Sequence, residues 1–105
     1  MKEDRLRNIE TDHDWWIDED SRIVTKITKV NDPNYPLGFK IRCQFLCFKN
    51  DKWAEMVRVD NSIHGKEGYL HIHRFNKEKP EPIQLSIRDI EKFVIEEGIR
   101  LKKYL

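Results

Sequence analysis

Three of the four histidines in this 105-residue chain, His64, His71 and His73, fall within ten positions of one another. Arg58, Asp60 and Asn61 stand just before them in the run V-R-V-D-N-S-I-H-G-K-E-G-Y-L-H-I-H-R-F, from Val57 to Phe75. Imidazole titrates near pH 6.5, so a histidine pair can supply a neutral base and a protonated acid together. On an extended strand, residues i and i+2 project from one face about 6.5–7 Å apart, which sets His71 beside His73. A guanidinium fork matches phosphate oxygens, which makes Arg58, with Asn61 and Arg74, the candidate substrate-binding groups. Carboxylates are weak bases, so Asp60 is better suited to orienting a histidine. Catalytic His71, His73, His64 and Asp60 with a cationic clamp are the parts of a metal-independent ribonuclease, which needs no cofactor.

The same atoms allow a second chemistry. His-x-His on a strand is a common chelate, and Asp60, His64 or Glu78 can join His71 and His73 around a metal ion. The third reading is non-catalytic: a half-exposed strand accepts histidines as a polar face, and the domain is an interaction module. Cys43 and Cys47 are not spaced as a C-x-x-C redox pair and read as small buried hydrophobes.

Arg58-x-Asp60-Asn61, then His64-Gly65, then His71-x-His73 resembles the core of the TumE-like toxin families. Those are small single-domain proteins in which a strand ending in Arg-x-Asp-Asn precedes a histidine-containing loop and further histidines. The resemblance covers about 20 of the 105 residues. It implies the toxin of a toxin–antitoxin pair with a helix-turn-helix antitoxin as partner, and the ribonuclease reading of the residues, with the habit of such toxins to attack RNA, adds RNA as the substrate.

The elements that must hold these residues can be read from periodicity. Arg22–Val30 is β-branched and reads as a strand, closed by the turn formers Asn31 to Gly38. Phe39–Lys49 alternates, with Phe39, Ile41, Cys43, Phe45 and Cys47 on one face, and Asn50-Asp51 signals a tight hairpin. Lys52–Asp60 follows, with Trp53, Val57 and Val59 expected on one face and Met56, Arg58 and Asp60 on the other. Tyr69–Phe75 sets Leu70 and Ile72 opposite His71 and His73. Ser86 reads as the N-cap of a C-terminal helix, with Asp89 completing a short capping box. Ile87, Ile90, Val94, Leu101 and Leu105 form its apolar stripe, with Glu91 among the residues turned to water. Gly98 interrupts that stripe as either a close-packing point or a break. The expected fold is α+β: one domain with an antiparallel meander of about four strands over residues 21–75 and a helix over 86–105 on one face.

Charge is unevenly spread. Residues 1–20 hold eight acids against three bases, a net of −5, and the rest of the chain carries +6. Such a segment can lie over a basic face, anchored by Trp15 and Trp16, or simply solvate one end; a short helix is expected near Arg5–Glu10 and a turn at Thr11–Asp14. No stretch approaches the roughly 18–20 apolar residues of a membrane helix. The start lacks the apolar core of a secretory signal, so a cytoplasmic setting without membrane contact is expected.

Overall fold

A period-two pattern needs partner strands, and the computed structural model, which describes residues 10–61 and 69–105, supplies them. Six strands form among the described residues: β1 (Glu10–Asp18), β2 (Ser21–Lys29), β3 (Phe39–Lys49), β4 (Lys52–Asp60), β5 (His71–Arg74) and β6 (Glu81–Pro82), followed by helix α1 (Ile87–Lys102). The strands pair in chain order as one antiparallel meander. The architecture is α+β with α1 packed on one face of the sheet, and four strands was too low a count.

Both added strands lie at sheet edges. The turn-rich Thr11–Asp14 is extended in β1, in register with β2 from Glu10↔Thr28 to Trp16↔Arg22. Cross-strand and helix partners override its local preference. Asp14 accepts a hydrogen bond from Arg22 Nε at 2.9 Å, and His13 Nδ1 lies 3.0 Å from Glu91 Oε2 on α1. Much of the acidic segment is therefore edge strand. Trp15 and Trp16 are 51% and 63% exposed, so neither is a buried anchor. The helix expected at Arg5–Glu10 falls outside the described residues, apart from Glu10, which opens β1. β6 lies within the charged connection after β5 and pairs with it through His71↔Pro82 and Ile72↔Glu81.

The inner face gathers Ile23 and Ile27 from β2, Ile41, Cys43, Phe45 and Cys47 from β3, and Val57 and Val59 from β4, all buried. Leu70 and Ile72 join them, and Ile90, Val94 and Leu101 of α1 close the core from above. Asn50 and Asp51 take positive φ, 54° and 63°, as the two-residue hairpin between β3 and β4 requires. Ser86 does precede α1, but its hydroxyl bonds the Asp89 carboxylate at 2.8 Å and makes no side-chain cap to the backbone. Leu105 lies beyond the helix end and is 38% exposed. Glu91 is half-buried rather than turned to water, because it accepts the Thr25 hydroxyl at 2.5 Å beside His13. Burial pushes the Cys43 thiol up to about 12, which makes it an unreactive core group.

Gly98 is the close-packing point. α1 runs through it unbroken, and a Cβ there would overlap Cγ, Cδ1 and Cδ2 of Phe45. Replacing a mid-helix glycine by alanine normally gains up to about 1 kcal/mol. Overpacking a filled core costs about 1–3 kcal/mol, so the clash wins. Gly98→Ala is expected to destabilise the protein by about 1–2 kcal/mol in urea unfolding. In a Phe45→Ala background the same change becomes neutral or stabilising.

Candidate functional site

β4 and β5 bring the candidate residues together on the face of the sheet away from α1. The pair puts Asp60 opposite His71 and Arg58 opposite His73, so all four share that outer face. The ring centroids of His71 and His73 are 5.1 Å apart at an interplanar angle of 69°. Both Nε2 atoms face one carboxylate: His71 Nε2 is 2.7 Å from Asp60 Oδ1, and His73 Nε2 is 3.7 Å from Asp60 Oδ2. The second distance is too long for a hydrogen bond. Asp60 and His71 are buried, while about a quarter of the His73 side chain is exposed.

A β-bulge completes the network. Phe45 pairs with Val57 but Leu46 pairs with Glu55, so Met56 is the extra residue. Strict alternation would have left Trp53 and Glu55 beside Val57 on the inner face. The bulge instead sends Met56 into the core, fully buried, and turns Trp53 and Glu55 outward with Arg58. Arg58 Nε then donates to Asp60 Oδ2 at 2.6 Å, and its Nη1 donates to Glu55 Oε1 at 3.0 Å. Gln44 Nε2 donates to Glu55 Oε2 at 2.6 Å. Gln44 and Glu55 carry no motif signal, because only the bulge brings Glu55 to this side.

The other candidates divide. Asn61 is buried and bound to β3: its Oδ1 accepts the Ile41 N–H at 2.8 Å, and its Nδ2 donates to the Phe39 carbonyl at 2.7 Å. Its side chain prolongs the sheet ladder rather than presenting a substrate-binding amide. Arg74 is on the inner face opposite Val57, where Nε donates to Glu97 at 2.6 Å and Nη1 to Glu81 at 3.1 Å. It stands apart from the histidine pair and does not join its site. The guanidinia of Arg100 and Arg74 hold the Glu97 carboxyl down to about 2. Glu78 is exposed and is no member of the histidine–carboxylate group, and His64 lies outside the described residues.

Burial, then the positive charge of Arg58, depresses the His73 pKa below its ordinary value. His73 is therefore neutral at pH 7, with one basic ring nitrogen. Its Nε2 is buried without a hydrogen-bond partner among the described residues. Ligand atoms of Asp60, His71 and His73 lie within 4.8 Å of one another, a donor set suited to a first-row divalent ion. The arrangement can thus move protons between an Asp-held histidine and a neutral one, or close around a cation.

Comparison with protein-family models, curated proteins and solved structures finds no match for this chain.

Asn61→Ala strands a buried N–H and a part-buried carbonyl on β3. It is expected to cost about 2–3 kcal/mol in urea unfolding, without a specific change in substrate affinity. The lowered His73 pKa means that the unfolded chain binds this proton more readily than the folded one. Its contribution to stability is present above the unfolded pKa and falls as the pH drops through about 6.5 toward the folded value. Unfolding free energies measured from pH 7.5 to 5 should show this slope, and His73→Gln should flatten it.

Proposed function

We propose that this protein is a metal-independent ribonuclease whose centre is His71, His73 and Asp60, positioned by Arg58. The observation that carries the reading is the single Asp60 carboxylate facing both imidazoles, with one histidine hydrogen-bonded to it and the other held neutral. His73 accepts the proton of a ribose 2′-hydroxyl, and the 2′-oxygen attacks the adjacent phosphorus. The bond from phosphorus to the 5′-oxygen breaks, and His71 gives its proton to that oxygen. The products are a 2′,3′-cyclic phosphate and a 5′-hydroxyl. Asp60 orients His71 and gives its protonated form a counter-charge, the part a carboxylate plays behind a catalytic imidazole.

Arg58 has a different role from the phosphate clamp that its sequence position suggested. Two of its nitrogens are engaged by Asp60 and Glu55, so it acts as a positioning residue whose charge also favours neutral His73. The resemblance of the Arg58-to-His73 sequence pattern to TumE-like toxins motivates a helix-turn-helix antitoxin as the proposed binding partner, and the histidine pair motivates RNA as the substrate. No helix among the described residues is long and apolar enough to cross a membrane.

A metal centre on the same three residues is the second reading. It is favoured by the unbonded His73 Nε2 and by the closeness of the three ligand atoms.

His71→Ala and His73→Ala should each lower cleavage of a single-stranded RNA about 10²–10⁴-fold, with the fold intact by circular dichroism. Wild-type cleavage should persist in EDTA and give a bell-shaped pH profile. Activity lost in EDTA and restored by a divalent ion moves the site to the metal reading, and full activity in both folded variants refutes catalysis by these histidines. Arg58→Ala should shift the acid limb of the pH profile to higher pH, because His73 loses the neighbouring charge that disfavours its proton. Arg58→Lys should restore part of the shift.

A further inference from the structure

With Arg58 engaged by carboxylates, the phosphate groups of a substrate need another cation. Helix α1 covers the inner face of the sheet, and on the outer face Lys26, Lys40 and Arg42 are exposed. On it, Lys26 of β2 pairs in register with Arg42 of β3, and Arg42 with Asp60 of β4, which pairs with His71. Strands lie about 4.8 Å apart, so Arg42 and Lys26 are the next two positions along the row that contains His71 and Asp60. One step further along the strands, Lys40 pairs with Thr28 on the same face.

Lys26, Thr28, Lys40 and Arg42, with Tyr35 from the β2–β3 loop, line a cleft of about 220 Å³. The Lys40 ammonium sits 5.6 Å over the Tyr35 ring. Among the described residues no carboxylate forms a salt bridge with any of the three cations. Asp12, the register partner of Lys26, makes none, and Asp60, the register partner of Arg42, is engaged by Arg58 and His71. Other cations of the surface are paired, Arg22 with Asp14, Arg100 with Glu97, and Lys102 with Asp18 and Asp20, or stand singly; here three line one cleft. Three uncompensated cations around one cleft are complementary to a row of phosphates.

The rest of the face selects among polyanions. At its other end Trp16, Phe48 and Trp53 cluster, with ring centroids 5.6 Å apart for the tryptophan pair and 5.2 Å for Phe48 with Trp53. Trp16 and Phe48 are exposed. Aromatic faces beside a cationic track suit unpaired bases on a phosphate backbone better than an acidic polypeptide, whose carboxylates offer nothing to stack.

We propose that the Lys26–Lys40–Arg42 cleft is the phosphate-binding subsite for a single-stranded RNA, which it leads across the outer face to His71 and His73. The inference rests on the ribonuclease reading for the reaction, but its binding arm stands independently.

The test measures binding of a 2′-O-methyl RNA single strand, which cannot be cleaved through its 2′-oxygen, and cleavage of the unmodified strand. The protein is compared with its Lys26→Gln/Lys40→Gln/Arg42→Gln variant and with Lys92→Gln as a surface control on α1. Each phosphate contact on a single strand contributes about 0.7 to the slope of log affinity against log salt, so the triple variant should lose about 2 from that slope. Its KM for the unmodified strand should rise about tenfold or more, with kcat within about threefold, the mark of lost ground-state binding. Lys92→Gln should match wild type. An unchanged slope and KM in the folded triple variant overturn the subsite. Equal, cation-dependent binding of poly-glutamate overturns RNA as the occupant in favour of an acidic protein. RNA binding that depends on the three cations, with no cleavage by wild type, upholds the subsite and refutes the ribonuclease reading instead.

Discussion

The close approach of α1 to the sheet at Gly98 is the constraint on which the rest of the molecule depends. The Phe45 ring occupies the space that any larger residue at 98 would need, so the helix settles directly onto β3. Ile90, Val94 and Leu101 then meet the inner side chains of β2, β3 and β4 in one core. A single helix covers a single face. Outside the bulge at Met56, alternation along each strand therefore decides which face a residue takes, and His71, His73, Asp60 and Arg42 share the side away from α1.

On that side Asp60 is the costly residue. An isolated carboxylate out of water is strongly disfavoured, and a charge in that position persists only with partners that satisfy its oxygens. Arg58 serves Oδ2 and His71 serves Oδ1, while Glu55 and Gln44 extend the network from Arg58 to β3. The same groups set the character of His73: buried on one edge and beside a guanidinium, it stays uncharged at neutral pH. Electrostatic stabilisation of the cluster and preparation of a neutral base come from one arrangement.

The charge asymmetry of the chain resolves into local pairings. Acids of the N-terminal segment meet single cations, Asp14 on Arg22, and Asp18 with Asp20 on Lys102 at the end of α1. They fasten an edge strand and the helix terminus. Among the described residues Lys26, Lys40 and Arg42 have no such partner and line one cleft together.

Much of the fold was legible because its signals are local. Apolar residues at every second position mark β2 and β3, Asn50-Asp51 tolerate the positive φ of a tight hairpin, and the i, i+2 spacing of His71 and His73 commits them to one face wherever the strand lies. The residues that sequence alone misplaced are those whose state depends on distant partners. Thr11–Asp14 carries turn-forming residues yet extends, because β2 and Glu91 complete it across up to 78 positions of chain. Met56 looks like one more residue in an alternation, but pairing with β3 makes it a bulge and reverses the sides of Trp53 and Glu55. Arg58, Asn61 and Arg74 have side chains suited to holding a substrate, and the fold gives them Asp60 with Glu55, the β3 backbone, and Glu97 with Glu81. Periodicity and backbone preference act over a few residues and so determined the four inner strands, the helix and the histidine pair, but not the two edge strands. Which polar group each side chain meets is decided by register and packing between segments far apart in the chain, and only the tertiary structure contains that.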